Sequence, residues 1–169
     1  MPPLLPVANF DVFAKELWAP YLAIASVPSS AKFQQSSDEK SIHELLTEYC
    51  YCYDAGDIER VLALFTADAT IDNATGVHRG IDSIRQNYID FVAKRQFGFH
   101  FVTNATIRIA DSGQEAVSTS YLVTLNVTNS GQIAMVAGSY IDRFSKSSGA
   151  WKISQRRITA DIRSTLEAD

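Results

Sequence analysis

Cysteine is scarce, basic residues never cluster into a stripe, and long apolar runs are missing from this 169-residue chain. The two cysteines, Cys50 and Cys52, stand two apart. On a helix they would point about 200° away from each other, so they cannot bridge. A C-x-C pair without further Cys or a nearby His is a poor metal motif, and free thiols fit a reducing compartment. The net charge of -4 and a pI near 5.3, with both signs interspersed, argue against a binder of phosphate backbones. No uninterrupted apolar stretch is long enough to span a bilayer. MPPLLPVANFDVF lacks the basic region and long apolar run of a secretory signal. A soluble, cytoplasmic protein is therefore expected. G-x-G-x-x-G, P-loop and His-Glu-x-x-His patterns are all missing, so neither a cofactor nor a metal is expected.

What is present is globular: 46% hydrophobic and 20% charged residues, in a chain long enough to bury one sizeable core. Residues 1–40 read as an N-terminal extension. Three prolines in the first six residues prevent regular structure there. Phe10, Phe13, Leu17, Trp18 and Tyr21 have helical spacing, and the polar, Ser-rich SSAKFQQSSDEK follows as a linker. The extension would act as a lid over a pocket or as an arm packed on the domain or a second subunit. Residues 41–165 read as the domain proper.

The centre of that domain is IHELLTEYCYCYDAGDIERVLALFTADATIDN, residues 42–73. Ser41 is the expected N-cap, with Glu44 completing a capping box. Gly56 ends the first helix, Asp57 starts a short second one, and a strand and turn through Asn73 follow. Taking Leu46 as the centre of the apolar face, Ile42, Cys50 and Tyr53 fall within about 40° of it. Tyr49 lies at roughly 60° on one side and Asp54 at roughly 80° on the other. A carboxylate at the rim of a core-facing stripe must be paired, hydrogen-bonded or functional. A partner stands later in the chain, at His100.

A third helix is predicted over SIRQNYIDFVAKR, with Ile84, Tyr88, Phe91 and Val92 on one face. From Phe97 the period changes from 3.6 to 2, and strands are expected at 97–109, 115–128, 132–145 and 150–163. Asp-Ser-Gly, Asn-Ser-Gly and Ser-Ser-Gly turns separate them. Helices first and antiparallel strands second define an α+β domain. The expected architecture is a cone-shaped α+β barrel, a curved antiparallel sheet wrapped around three helices with a pocket inside. On β faces, Gly98, His100, Val102 and Asn104 share one partly polar side. Val117, Thr119, Tyr121, Val123 and Leu125, with Ile133, Met135 and Ala137, form the most apolar side.

YDAGDIERVLALFTADATID, FHFVTNATI, GSYIDRF and WKISQRR, in this order, resemble the SnoaL-like branch of the nuclear-transport-factor-2-like superfamily over roughly residues 41–160. Within it the chain is similar to three lyases: scytalone dehydratase, bile-acid 7α-dehydratase and hexachlorocyclohexane dehydrochlorinase. The resemblance implies a catalytic Asp54–His100 pair, with Tyr53 and Tyr49 on positions of catalytic tyrosines. It puts Asn73, Ser120 and Tyr140 on substrate-facing positions, though with residue types that differ from those of scytalone dehydratase. Arg156 joins them because its strand should return alongside the pocket, where it could meet a carboxylate; Asp142 offers it an ordinary ion pair instead.

An Asp–His pair suits general-base chemistry, since the carboxylate fixes the imidazole tautomer and stabilises its cation. A phenol can then donate to an enolate or protonate a departing hydroxyl. The expected activity is a dehydratase-type elimination on a small cyclic, partly apolar substrate. Isomerisation or ring closure in a natural-product pathway is the first alternative. A non-catalytic ligand-binding protein, or the small subunit of a ring-hydroxylating dioxygenase, is the second. The resemblance also implies a homodimer or homotrimer packed through the apolar sheet face.

Overall fold

A computed structural model describes residues 32–166 of the chain. The helix expected at Phe10 to Tyr21 lies outside the described residues. Helix α1 spans Lys32–Asp54, α2 spans Ile58–Ala63 and α3 spans Ile81–Val92. The strands are β1 (Phe65–Asn73), β2 (Gly76–Arg79), β3 (Arg95–Ile109), β4 (Glu115–Thr128), β5 (Ile133–Ser147), β6 (Ala150–Ile158) and β7 (Ile162–Leu166).

Helix α1 forms because its apolar residues recur with helical period. Ile42, Leu45, Leu46, Tyr49 and Tyr53 are all buried, each worth roughly 1.5–3 kcal/mol of transfer free energy for a fully buried large apolar side chain. It ends where Gly56 takes φ +73°, and the Gly56 and Asp57 N–H groups donate back to the Tyr53 and Cys52 carbonyls. The Asp57 side chain then accepts from the Arg60 N–H and caps α2.

The start of α1 corrects the expectation drawn from Ser41. The helix runs through the Ser-rich segment and through the boundary expected at residue 41. Ser41 is interior, its Oγ donating to the Ser37 carbonyl. Local propensity is overridden by a tertiary contact. Asp38 is buried and accepts from Lys146 Nζ at 2.7 Å and Trp151 Nε1 at 2.9 Å, which fastens the added turns to the β5–β6 hairpin.

The sheet follows the order β2-β1-β6-β5-β4-β3, with β7 also paired to β5. Its pairs are antiparallel except β1–β6, which is parallel. The sheet is thus curved but not closed, with β2 and β3 as its ends. On β4 the burial alternates, with Ala116, Ser118, Ser120, Leu122 and Thr124 turned inwards. The single last strand expected over 150–163 is two. β6 pairs with the second half of β5, and β7 with the first half at a register shifted by one residue. The break has a cause at Thr159, whose Oγ1 accepts from the Ser139 N–H and donates to Asp161.

Gly138 makes that crossing possible. A Cβ there would meet the Thr159 backbone carbonyl well inside contact distance. Gly138→Ala is expected to destabilise the domain by about 1–3 kcal/mol, seen as a lower urea midpoint at unchanged slope.

Candidate active site

The C-terminal turn of α1 and the inward face of β3 meet at one carboxylate. Asp54 Oδ1 lies 2.6 Å from His100 Nδ1, and Asp54 Oδ2 accepts the His100 backbone N–H at 2.9 Å. Both side chains are largely withdrawn from solvent, 18% and 8% exposed. The backbone bond fixes the carboxylate against the strand, and the ring bond fixes the imidazole, with Nδ1 carrying the proton towards Asp54. A third group completes the cluster. Arg95 places Nη1 3.6 Å from Asp54 Oδ1 and 3.1 Å from the Asn126 amide oxygen, and donates through Nη2 to the Tyr53 carbonyl at 2.6 Å. Burial alone would raise the Asp54 carboxyl. The two hydrogen bonds from His100, its charge when protonated and the Arg95 charge outweigh burial and hold the group below its ordinary value.

His100 opens onto a cavity of about 290 Å³ between the helices and the concave sheet. Its floor is a cluster of phenols. Tyr53 lies edge-on to the His100 ring at 4.6 Å between centroids, and its own face carries the Arg95 guanidinium at 4.8 Å. Tyr49 stacks on Tyr53 at 5.9 Å, and its hydroxyl is 3.2 Å from that of Tyr88. Tyr140 meets Tyr49 edge-on at 6.0 Å. Burial pushes the Tyr53, Tyr88 and Tyr140 phenols above their ordinary value. These groups stay protonated near neutral pH and serve as donors rather than bases.

Six of the eight residues singled out from the sequence line this cavity or form its dyad: Asp54, His100, Tyr49, Tyr53, Asn73 and Tyr140. Asn73 has little capacity left for a ligand. Its amide donates to Asn87 Oδ1, and its oxygen accepts from the Thr75 N–H and hydroxyl. Arg156 and Ser120 are not brought to the cavity wall. Arg156 is fully buried behind it, bidentate to Asp142 at 2.8 Å on both bonds, with its guanidinium 4.1 Å from the Tyr49 and Tyr140 ring centres. Of the two openings left for Arg156 by the sequence, the Asp142 pair is the one the structure contains. Ser120, paired across the sheet with Tyr140, is buried, and its Oγ has no protein partner among the described residues.

Sequence reasoning missed Arg95 and Tyr88. Tyr88 read as one more apolar residue of the third helix. A buried tyrosine hydroxyl needs a partner, and that requirement is the signal that marks it. Arg95 sits at the junction of α3 and β3, where a surface cation is the ordinary occupant, and nothing local distinguishes it. Among the described residues no three or more His, Cys, Asp or Glu side chains converge as a metal site, and no helix is long and apolar enough to cross a membrane.

The curved, unclosed sheet with three helices is the α+β architecture of the nuclear-transport-factor-2-like superfamily. The family model of the SnoaL-like domain matches residues 34–157, and the chain belongs to that family. No curated protein matches it. Among solved structures it is similar to a hexachlorocyclohexane dehydrochlorinase, LinA-type3, from Novosphingobium barchaimii LL02. That match has a TM-score of 0.72 at 16% identity over 80% of this chain and 94% of the other. A protein of Novosphingobium aromaticivorans provisionally named a scytalone dehydratase matches with a TM-score of 0.73 at 19% identity, over 80% and 92%. Another from that species, provisionally named an aromatic ring hydroxylase, matches with a TM-score of 0.72 at 24% identity, over 77% and 94%. At these identities the likeness is one of fold.

Because the Asp54 carboxyl is held low in the folded protein, its ionised form contributes stability above the unfolded value, near 3.9. That contribution is lost as the pH falls through the folded value. Asp54→Asn is expected to be less stable than the parent at neutral pH, with the gap narrowing below about pH 4, as read from urea midpoints against pH.

Proposed function

We propose that this protein is a dehydratase-type lyase in which His100 is the general base, Asp54 its orienting carboxylate, and a buried phenol the proton donor. The observation that carries the reading is the 2.6 Å bond between Asp54 and His100 Nδ1 at the wall of a cavity that four tyrosines also line. With Nδ1 committed to the carboxylate, Nε2 is left as the nitrogen that can take a proton from substrate. It removes a hydrogen from the carbon beside a carbonyl. The electron pair passes into an enolate, whose oxygen accepts a hydrogen bond from the Tyr49–Tyr88 pair or from Tyr53. A hydroxyl on the next carbon then leaves as water, taking a proton from a phenol or from the imidazolium, and a carbon–carbon double bond forms. These steps need only the side chains present.

The cavity suits a small cyclic, partly apolar substrate, because Phe91, Leu122, Val136 and Ile158 add apolar wall beside the tyrosines. Returning the proton to a different carbon makes the same set an isomerase or cyclase. A second reading on the same fold is a non-catalytic ligand-binding or small-subunit role. Co-purification with a larger catalytic subunit would support that role. The dyad tells against it, since a purely structural subunit has no use for a base at a cavity wall.

The test is hydrogen exchange at the α-carbon of 1-tetralone in deuterated buffer, followed by NMR. The parent is expected to exchange the probe faster than buffer does. His100→Ala should lose about 10²–10⁴-fold of that rate with its fold retained by circular dichroism. Exchange undiminished in this variant would remove His100 from the role.

The convex face supports a homo-oligomer. Phe97, Phe99 and Phe101 are about half exposed on β3, in register with Val127, Leu125 and Val123 of β4 and continuous with Ile133, Met135 and Ala137 of β5. An apolar surface of that extent is normally covered by another chain. Phe99→Arg is expected to shift sedimentation from a dimer or trimer towards the monomer while keeping the helix and sheet content unchanged. A parent that already sediments as a monomer would end this reading.

A further inference from the structure

Thr124 carries a hydroxyl proton that the protein's own hydrogen bonds leave free beside the cavity. Arg95 Nη1 lies 3.1 Å from Asn126 Oδ1. A guanidinium only donates, so the Asn126 amide must turn its oxygen to Arg95 and its NH₂ the other way. That NH₂ donates to Thr124 Oγ1 at 3.2 Å. The Thr124 hydroxyl therefore accepts from the protein and has its one proton still to give. Among the described residues no acceptor takes it.

The place of that proton is set by the sheet. Thr124 is buried, lines the cavity and stands opposite His100 in the β3–β4 register. The Cβ atoms of such a pair are about 4.5–5.5 Å apart. One row along, Gly98 stands opposite Asn126 and leaves the space in which the amide and the guanidinium meet. A Cβ on Gly98 would collide with Asn126 Oδ1 and come within 2.8 Å of Arg95 Nη1 and of the Leu125 carbonyl. Arg95 is itself anchored beside Asp54 and on the Tyr53 carbonyl. The direction of the whole relay is thus fixed from its charged end, and it runs towards the cavity.

We infer that Thr124 is a hydrogen-bond donor to the ligand, seating a carbonyl oxygen beside His100, with Asn126 and Arg95 as its positioning residues. Its part in catalysis rests on the function proposed above; the seat for an oxygen acceptor does not. When His100 Nε2 takes the proton from the α-carbon, the pair of that C–H bond enters the carbon–carbon bond of the enolate. Negative charge then collects on the oxygen that Thr124 holds. The hydroxyl keeps its own proton throughout. It donates from the sheet, while the phenols of α1 and α3 approach from the helices.

The test compares the binding of 1-tetralone and tetralin, one ring system with and without the carbonyl oxygen, by isothermal titration. Thr124→Val removes the hydroxyl at nearly equal volume. It should lower the ratio of ketone to hydrocarbon affinity about tenfold while tetralin binds as before, which also shows the cavity intact. Deuterium exchange of bound 1-tetralone should slow about 10²-fold in the same variant. Thr124→Ser keeps the donor and should retain both properties. Asn126→Asp reverses the relay, since a carboxylate accepts the Thr124 proton, and should lower the ratio as Thr124→Val does. His100→Ala should lose the exchange but keep the ratio, so a failure of the base and a failure of the donor are told apart. A ratio unchanged in Thr124→Val or in Asn126→Asp would overturn the inference.

Discussion

The Asp54 carboxylate is the joint on which the interior depends. One side chain at the last turn of the central helix takes both the backbone N–H and the ring N–H of His100, 46 positions later in the chain. A helix enclosed by a sheet must end somewhere inside it, and its last carbonyls and any acid near them then sit in low dielectric. Here the helix end is satisfied from two directions. The Gly56 and Asp57 N–H groups return to it, and Arg95 reaches the Tyr53 carbonyl while standing beside the carboxylate. The same contacts that close the helix also aim the imidazole. Stability and positioning are therefore one set of bonds at this point.

A second buried polar unit shapes the floor. Arg156 and Asp142 are both fully buried, and removing either partner of such a pair leaves an uncompensated charge at a cost of about 3–5 kcal/mol. An apolar pair would fill the space without that exposure to loss. What it would not supply is a flat cation against the faces of Tyr49 and Tyr140, whose rings meet edge-on. Among the described residues the Arg156 Nη1 and the Ser118 and Ser120 hydroxyls, on neighbouring strand positions, have no hydrogen-bond partner, so polar atoms lie behind the aromatic layer.

Legibility in the sequence followed the range of the interactions. The α+β order, the three helices and the turns between strands rest on period and on Gly, Asn and Asp at short spacing, and all of these are local. The rim position of Asp54 came from helical geometry alone. His100 as a partner came from its place on a partly polar strand face and from family resemblance. What stayed hidden was tertiary. Asp38 drew the Ser-rich segment into the helix through Trp151 and Lys146, more than a hundred residues away. Thr159 broke the last strand by bonding to Ser139 on its neighbour. Arg156 could be placed beside the cavity, but not on which side of the tyrosines. Arg95 carries no local pattern, and its role exists only where β3 passes the end of α1.

Charge in the dyad explains why the third residue belongs there. Asp54 ionised and Arg95 protonated cancel one another beside the imidazole. Arg95 secures the carboxylate in its ionised form, so the ring nitrogen of His100 meets a charged acceptor, the stronger kind of hydrogen bond. On the mechanism proposed above, the same guanidinium, which also lines the cavity, would favour an anion forming there.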